Sequence, residues 1–191
     1  MVLFPDVAVV LVRHGDTEWS SSGRHTSYTD VPLTERGREQ ARSLATRLAG
    51  IDCTLVLSSP RRRAQETAEL AGLGHRVDVT DDLAEWDYGE YEGRTTAEIR
   101  AEVPEWTIFT HGAPGGETAE QVAVRADRVL ARAEAGGGVV AMFSHGHFLR
   151  VLGARWIGLP ASGGALLGLD TATLSFLGRE RAQHVLRVWN S

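Results

Sequence analysis

The sequence has only one cysteine, Cys53, among its 191 residues. A single thiol excludes an intrachain disulfide and is typical of a protein from a reducing compartment. Basic side chains are also in the minority, because 20 of them stand against 25 acidic ones, for a formal net charge of −5. This balance argues against a general binder of nucleic acids or membrane surfaces. Any anion that the protein binds must therefore be attracted by a local cluster of basic residues.

The apolar N-terminus lacks the features of a membrane anchor. Its first twelve residues have no basic start, contain Pro5 and Asp6, and are too short to cross a bilayer. The sequence also lacks internal repeats, low-complexity segments and an inter-domain linker. We therefore expect a cytoplasmic protein with a single domain over residues 1–191, which is long enough to bury a substantial core without disulfides or metals.

Apolar strand patterns alternate with helical patterns along the chain, which is typical of an α/β domain with a mostly parallel sheet. Strands are predicted at Val7–Val12, Leu55–Leu57, Val139–Phe143, Thr171–Leu177 and His184–Val188. Helices are predicted after the cap Thr34 to about Leu48, from Pro60 through Leu70 with a cap from Ser58-Ser59, over Arg94–Glu102, over Glu117–Ala135, and from Gly146 through Trp156. Folds of this class bind ligands at the carboxyl ends of the parallel strands.

Polar side chains follow three of these predicted strands. Arg13 and His14 come directly after the first strand, the run Arg61-Arg62-Arg63 follows the second, and His145 follows the third. Two arginines and two histidines at one rim form a pocket for a dianion, because guanidinium groups match phosphate oxygens and histidines supply further donors. Successive helical residues point about 100° apart, so at most one or two of the run can reach this pocket. The helix that starts near Gly146 directs its amides to the same place.

These residue types predict phosphoryl transfer through a histidine. A neutral imidazole can attack phosphorus and hold the phosphoryl group as phosphohistidine, which divides one difficult displacement into two easier ones. We expect the arginines to keep His14 neutral, because they repel an imidazolium. Glu85, in a loop after Leu83, is the predicted proton donor and then the base that activates water. It must be protonated near neutral pH in order to donate, which desolvation beside Trp86 and the substrate's negative charge would favour.

Each of these features also has a purely structural explanation. An Arg-His pair at a strand end is more often a solvated surface dipeptide than a catalytic pair, and His145 alone fits a satisfied core histidine. The arginine run fits a basic surface, and Glu85 fits a solvated charge in an acidic loop. Their joint occurrence at strand ends favours the functional interpretation.

Four sequence motifs extend over nearly the whole chain. They are Leu11-Val12-Arg13-His14-Gly15; Ser58-Ser59-Pro60 with Arg63-Ala64 and Glu66-Thr67-Ala68; Glu85 with Gly89 and Glu92-Gly93; and Ser144-His145-Gly146. In this order they resemble the histidine phosphatase superfamily, which has the phosphoglycerate mutase-like fold. The resemblance implies a three-layer α/β/α sandwich with a mostly parallel central sheet.

The same resemblance implies a role for each catalytic position. His14 is the phosphorylated nucleophile, Arg13 and Arg63 bind the phosphoryl group, His145 stabilises it, and Glu85 is the acid and base. Arg63 is chosen from the arginine run because it directly precedes an alanine, as in the family's motif. No metal and no cofactor are implied.

Departures from the mutases of this family favour its phosphatases. The glycolytic mutases carry asparagine where this chain has Ser20, and a long basic insertion where only residues 94–116 follow the acid/base loop here. A mutase must keep its phosphohistidine from water with extra cationic and covering residues, so the shorter chain is typical of a phosphatase. The segment from Gly23 to Asp30 also resembles the phosphatases, although the position of Ser27 is often glycine there.

The resemblance further implies a set of substrate-binding residues, namely Ser20, Arg24, His25, Thr26, Ser27, Gly146 and His147. Arg24 and His25 are candidates to bind a second anionic group, whereas His147 is equally well explained as a solvent-facing helix start. Similarity of the loop after Glu85 to broad acid phosphatases and sugar bisphosphatases predicts a small phosphate ester as the partner, with no nucleic acid and no membrane. The substrate itself and a homodimer are left open.

Three other functions compete with this one. A metal-dependent hydrolase would use the His145-Gly146-His147 spacing with Glu85 or Asp87, but no third histidine lies nearby in sequence and the arginines would repel a divalent cation. A phospho-ligand binding module without turnover is disfavoured, because all five expected catalytic positions carry competent residues. A phosphoglycerate mutase is disfavoured by the missing insertion.

Overall fold

A computed structural model of the protein describes residues 7–191, in which a six-stranded sheet lies between two layers of helices. The first six residues of the predicted domain lie outside the described residues. The strands are β1 (Val7–Arg13), β2 (Cys53–Ser58), β3 (Val77–Val79), β4 (Val139–Ser144), β5 (Leu174–Glu180) and β6 (Gln183–Val188). The helices are α1 (Glu18–Ser22), α2 (Glu35–Leu48), α3 (Arg62–Leu70), α4 (Thr96–Arg100), α5 (Ile108–His111), α6 (Ala119–Gly136) and α7 (Gly146–Trp156).

The sheet is mostly parallel, as predicted. Its strand order is β3-β2-β4-β1-β5-β6, and the first four strands in this order run parallel, whereas β5 and β6 are antiparallel to their neighbours. Arg13 pairs with Ser144, and Ser58 pairs with Phe143. The carboxyl ends of β2, β4 and β1 are therefore level at the centre of the sheet, and the residues that follow them are neighbours.

The two faces of the sheet are packed against different helices. Along β1, Val9 and Leu11 pack with residues of α6 and α7, whereas Val10 and Val12 pack with residues of α2 and α3. This alternation follows from the period of two in a strand, and both faces are apolar because both are covered. The three-layer α/β/α sandwich is confirmed.

Local sequence signals predict the start of α2 correctly but not the start of α3. Thr34 caps α2 by accepting the backbone N–H of Gly37, as predicted. The prediction that α3 begins at Pro60 is wrong, because the helix begins at Arg62 and Arg61 is its N-cap residue, with no side-chain cap hydrogen bond. Ser59, from the predicted cap, accepts the N–H of Arg61 and also bonds a histidine across the sheet, as described below. None of the helices of the described chain is long and apolar enough to cross a membrane.

The last predicted strands exist, but β5 starts later than expected, at Leu174 rather than Thr171. The reason is a tight turn, in which Ala172 has a φ of 53° and donates its N–H to the carbonyls of Arg13 and His14. This turn holds the start of the site loop from the side of the antiparallel strands. The short elements α1, α5 and β3 were not predicted.

Candidate active site

A cavity of about 250 Å³ lies where β1 and β4 end, and we call it the central cavity. Nine of the twelve predicted site residues line it: Arg13, His14, Ser20, Arg24, His25, Thr26, Glu85, Gly146 and His147. The other three, Arg63, His145 and Ser27, are buried close to it. The rings of His14 and His145 lie 5.2 Å apart, edge to face. The parallel register thus brings together residues that are 131 positions apart in the sequence.

His14 is held in one neutral form. Its Nδ1 lies 2.7 Å from the carbonyl oxygen of Gly15, which can only accept, so Nδ1 carries the proton and Nε2 keeps its lone pair. Burial, followed by the positive charges of Arg63 and Arg13, holds the pKa of His14 well below its ordinary value of 6.5. The neutral ring expected from the sequence is present, with burial as a larger cause than the arginines.

Three buried nitrogens around His14 have no hydrogen-bond partner among the described residues, namely Nε of Arg13, Nε of Arg63 and Nδ1 of His145. The rest of each guanidinium is anchored. Arg63 donates through Nη1 to the carbonyl of Thr29 at 3.1 Å and through Nη2 to that of Thr26 at 3.0 Å, and Arg13 donates through Nη1 to the Leu169 carbonyl. Buried donors without acceptors are costly, so their convergence beside a cavity marks a binding site for anionic oxygens.

The tautomer of His145 is fixed by Ser59. Burial, then Arg63 and other nearby charges, holds the pKa of His145 well below its ordinary value, so the ring is neutral. Its Nε2 lies 2.7 Å from Oγ of Ser59, and that Oγ already accepts the N–H of Arg61 at 3.2 Å. The Arg61 N–H can only donate, so among the described residues Nε2 is the one acceptor for the serine proton, and the single ring proton then lies on Nδ1, the buried atom without a partner. His145 thus presents a donor to the site.

Glu85 is bound at the start of α7. Its Oε1 accepts the N–H groups of Trp86 and Phe148, both at 2.8 Å, and its Oε2 accepts the N–H of His147 at 3.0 Å. Three backbone donors, two of them at the N-terminal end of α7, thus hold the carboxyl group in one position. The protonated form expected for Glu85 stays a prediction, and the three contacts fix its carboxyl group at the wall of the central cavity.

Of the loop residues predicted to bind substrate, Ser20, Arg24, His25 and Thr26 line the central cavity, and Ser27 does not. Arg24 lines the cavity while Nη1 donates to the carbonyl of Gly93 at 2.8 Å, and Ser20 lines it while its Oγ donates to Asp16. Ser27 does not line it, because its N–H and Oγ both donate to the carboxylate of Glu92. Ser27 therefore orders the loop on which Thr26 lies, and its side chain does not obstruct the cavity.

Gly146 and His147 begin α7 at the cavity wall. A Cβ on Gly146 would lie 3.3 Å from Cζ and Nε of Arg13, so only glycine leaves the guanidinium its full space. His147 is not a solvent-facing helix start, because its Nδ1 is hydrogen-bonded to the hydroxyl of Tyr88 and its ring lies against Phe109. Burial, followed by the charge of Arg150, holds the pKa of His147 well below its ordinary value.

Sequence reasoning missed several residues of the site. The sequence pattern predicts Ser59 only as part of a helix cap. It predicts no role in the site for Tyr88, Arg150 or Leu169, although these three residues line the central cavity. Arg150 follows Gly146 by four residues on α7, so helical periodicity could have placed it on the same face. No sequence signal marks Leu169, whose carbonyl anchors Arg13.

The residues of the alternative metal site are not arranged around one point. Nε2 of His145 faces Ser59, Nδ1 of His147 faces Tyr88, and Glu85 accepts backbone N–H groups. Within residues 7–191, no group of three or more histidine, cysteine, aspartate or glutamate side chains is placed to hold a metal ion.

A parallel sheet whose strand ends gather arginines and neutral histidines around one cavity defines an enzyme that handles phosphoryl groups. Its family is the histidine phosphatase superfamily (branch 1), to which this chain belongs, since the family model matches residues 9–191. The prediction of family and fold is therefore confirmed.

Two relatives and one solved structure illustrate the match. The chain is 46% identical over 185 residues to an acid phosphatase of Mycobacterium tuberculosis, and the alignment covers 94% of this chain and 90% of that protein. It is 37% identical over 183 residues to sedoheptulose 1,7-bisphosphatase of Saccharomyces cerevisiae, covering 78% of this chain and 67% of that protein. A solved structure of an open reading frame product from Mycobacterium tuberculosis superimposes with a TM-score of 0.90 at 46% identity, covering 95% and 96% of the two chains.

Proposed function

We propose that this phosphatase hydrolyses phosphomonoesters of small metabolites without a metal ion, through a phosphohistidine on His14. The observation that carries this proposal is the set of three buried donors without partners, on Arg13, Arg63 and His145, beside a neutral imidazole. They are placed to bind the phosphoryl oxygens and to stabilise the charge that builds up on them. The similarity to an acid phosphatase and a bisphosphatase supports the same substrate class.

In the first step, Nε2 of His14 attacks phosphorus. The P–N bond forms as the ester P–O bond breaks, and the leaving alcohol oxygen takes a proton from Glu85. The proton on Nδ1 stays bonded to the Gly15 carbonyl, which keeps Nε2 directed at the cavity and stabilises the positive charge that the ring acquires.

In the second step, the Glu85 carboxylate removes a proton from a water molecule, whose oxygen attacks phosphorus. The P–N bond breaks, inorganic phosphate forms, and His14 returns to its neutral form, while Glu85 passes the proton it took from water to the departing phosphate. The three backbone N–H donors hold the carboxyl group of Glu85 at the cavity wall, in position for this role. One residue serves both steps because the alcohol leaves from, and water enters at, the same side of the phosphoryl group.

The proton for the first step comes with the substrate. A phosphomonoester loses its last proton at about pH 6, so below that pH it carries a proton that Glu85 can pass to the leaving oxygen. His14 remains a free nucleophile in this range, because its pKa lies well below 6.5. The rate is therefore expected to rise as pH falls toward 6, and to fall again only where His14 is protonated.

A phosphate-release screen tests the proposal. Sugar phosphates, sugar bisphosphates, nucleotides and phosphoamino acids are assayed with the wild type and with His14→Ala, and the exposed His111→Ala is the matched control. We expect release by the wild type and by His111→Ala, in the presence of a strong chelator as well, and an acid-labile phosphoenzyme that His14→Ala lacks. Full turnover by His14→Ala would exclude the covalent mechanism.

Other outcomes identify the competing functions. Loss of activity on chelation indicates a metal-dependent hydrolase, and no release from any ester indicates a binding module. Conversion of phosphoglycerate in a coupled assay that depends on the bisphosphate activator indicates a mutase. Two further proposals are tested separately. Cell fractionation tests a cytoplasmic location, and light scattering of the purified protein tests a homodimer.

A further inference from the structure

A second cavity of about 270 Å³ adjoins the central cavity, and we call it the side cavity. It shares four lining residues with the central cavity, namely His25, Thr96, His147 and Arg150. Its other walls come from α4, from α5 with the segment before it, and from the segment that follows α7, through Arg100, Trp106, Thr107, Ile108, Phe109 and Ala165. A small ligand with its phosphoryl group beside His14 can therefore extend into the side cavity.

The charged side chains that line the side cavity are all arginines. No carboxylate lines it within the described part of the chain, and Glu85 is the one acidic residue lining the central cavity there. The two histidines add no positive charge near neutral pH, because burial lowers the pKa of His25 to about 4 and holds that of His147 well below 6.5. The positive potential of the side cavity comes from Arg100 and Arg150.

Both guanidinium groups are anchored on one edge only. Arg150 donates through Nε to the carbonyl of Gly164 at 3.0 Å and through Nη2 to that of Ala165 at 3.2 Å. Arg100 donates through Nε to the carbonyl of Trp106 at 2.8 Å. Within residues 7–191, Nη1 of Arg150 and both Nη atoms of Arg100 make no hydrogen bond, and neither residue forms an ion pair. Arg13 and Arg63, which lie at the central cavity, are anchored through Nη atoms instead, and each leaves a buried Nε without a partner among the described residues.

The aromatic residues of the side cavity offer little surface to an apolar ligand. Trp106 and Phe109 are only 2% and 5% exposed. The guanidinium of Arg150 covers one ring from 4.5 Å, and the ring of His25 lies 5.3 Å from the other. The accessible groups are thus the arginine donors, and a ligand that matches them has anionic oxygens.

We propose that the side cavity binds a second anionic group of the substrate, so that the preferred substrates are small phosphomonoesters with another phosphate or a carboxylate beyond the scissile ester. This inference rests on the proposed function. The phosphate in the central cavity reacts, and the group held by Arg100 and Arg150 positions the leaving alcohol near Glu85.

Matched substrate pairs test this proposal with the full-length protein. Fructose 1,6-bisphosphate is compared with fructose 6-phosphate for a second phosphate, and 3-phosphoglycerate with glycerol 3-phosphate for a carboxylate. p-Nitrophenyl phosphate represents an aromatic leaving group. We expect kcat/KM to be roughly 10- to 100-fold higher for the doubly anionic member of at least one pair, as one or two charge-assisted hydrogen bonds would give. The pair that shows the larger ratio identifies phosphate or carboxylate as the bound group.

The variant Arg100→Met then assigns the selectivity to the side cavity. It keeps an unbranched aliphatic side chain and removes the charge, and Arg36→Met, at an exposed position of α2 outside both cavities, makes the same change of charge. We expect Arg100→Met to lower the ratio of kcat/KM within the selected pair about 10-fold, and Arg36→Met to leave it unchanged. Arg150→Met is expected to lower the same ratio, as an independent check.

The failures are distinguishable. If the wild type hydrolyses monophosphates through His14 but shows a ratio near one for both pairs, or if Arg100→Met lowers both members of a pair equally, the subsite is wrong and the proposed function stands. A preference for p-nitrophenyl phosphate over both doubly anionic substrates, unchanged in Arg100→Met, would show that the side cavity takes an aromatic group instead. If no ester is hydrolysed, the proposed function itself fails.

Discussion

The central cavity and the side cavity share a wall, but they are built from different parts of the fold. The donors of the central cavity follow β1, β2 and β4, whose parallel register continues past the strand ends through backbone hydrogen bonds from His14 to Ser144 and from Ser59 to Phe143. The side cavity is lined by the short helices α4 and α5 and by the turn after α7. The sheet thus positions the residues that we propose to react, whereas the connecting segments between residues 94 and 116 and around residue 165 line the cavity that we propose for the second anionic group.

The largest expected effect lies in the central cavity, at Arg63. The change Arg63→Met removes a buried donor beside His14 and three hydrogen bonds to the loop of Thr26, so kcat/KM should fall roughly 10³-fold for every ester, with no change in the ratios that define the side cavity. Steady-state phosphate release measures this effect. Arg62→Met is the matched control, because this neighbouring side chain is exposed. A similar loss in both variants would mean that Arg63 acts only through the stability of α3.

The second-largest effect is expected from a change at Glu85 that prevents proton transfer but keeps the shape of the side chain. Glu85→Gln keeps an oxygen acceptor for the backbone donors of α7 but can neither deliver nor remove a proton, so kcat should fall about 10²- to 10³-fold for alkyl phosphates. The phosphorylation step should be affected less with p-nitrophenyl phosphate, whose leaving group needs no proton. Rapid-quench measurement of that step compares the two esters, with the exposed Glu90→Gln as control. Equal losses for both esters would contradict the role of Glu85 as acid.

A smaller effect is expected from Ser59, which acts through His145. Ser59→Ala removes the donor to Nε2, so the ring proton is no longer confined to Nδ1 and kcat/KM should fall about 10-fold. The diagnostic measurement is the ¹⁵N chemical shift of the two His145 nitrogens, which reports the tautomer directly. Ser58→Ala is the matched control, since Ser58 is equally buried and its Oγ donates to the carbonyl of Ser59 rather than to the histidine. Unchanged ¹⁵N shifts in Ser59→Ala would exclude the positioning role.

The contrast between the cavities also explains what could be predicted from the sequence. Strand ends are marked by apolar runs that stop at polar residues, so Arg13, His14 and His145 could be placed in one site from pattern alone. The predicted start of α3 is two residues too early, because Ser59 Oγ accepts the N–H of Arg61, the N-cap residue. The bond of the same Oγ to His145 across the sheet leaves no local signal in the sequence. The side cavity was not predicted, because Arg100, Phe109 and Arg150 meet only through the packing of short helices and turns.

Replacement of His25, which lines both cavities, is expected to have the smallest effect on catalysis, but it should change how the free energy of unfolding depends on pH. Burial lowers the pKa of His25 to about 4. Between pH 6.5 and pH 4, His25 is therefore protonated in the unfolded chain but neutral in the folded protein. The free energy of unfolding falls as pH drops through this range, because proton binding stabilises the unfolded chain. One histidine contributes a slope of about 1.4 kcal/mol per pH unit in this window, or about 3 kcal/mol in total. His25→Phe keeps a ring against Tyr88 and Trp106 but cannot titrate.

Urea unfolding between pH 4 and pH 7 should therefore show a shallower pH dependence for His25→Phe than for the wild type, by about one proton. His75→Phe, at an exposed position, is the control and should keep the wild-type slope. His14, His145 and His147 also have lowered pKa values, so a substantial slope should remain in His25→Phe. An identical slope in the wild type and His25→Phe would show that His25 is protonated without cost in the folded state, and the wall between the cavities would then carry a positive charge in acid.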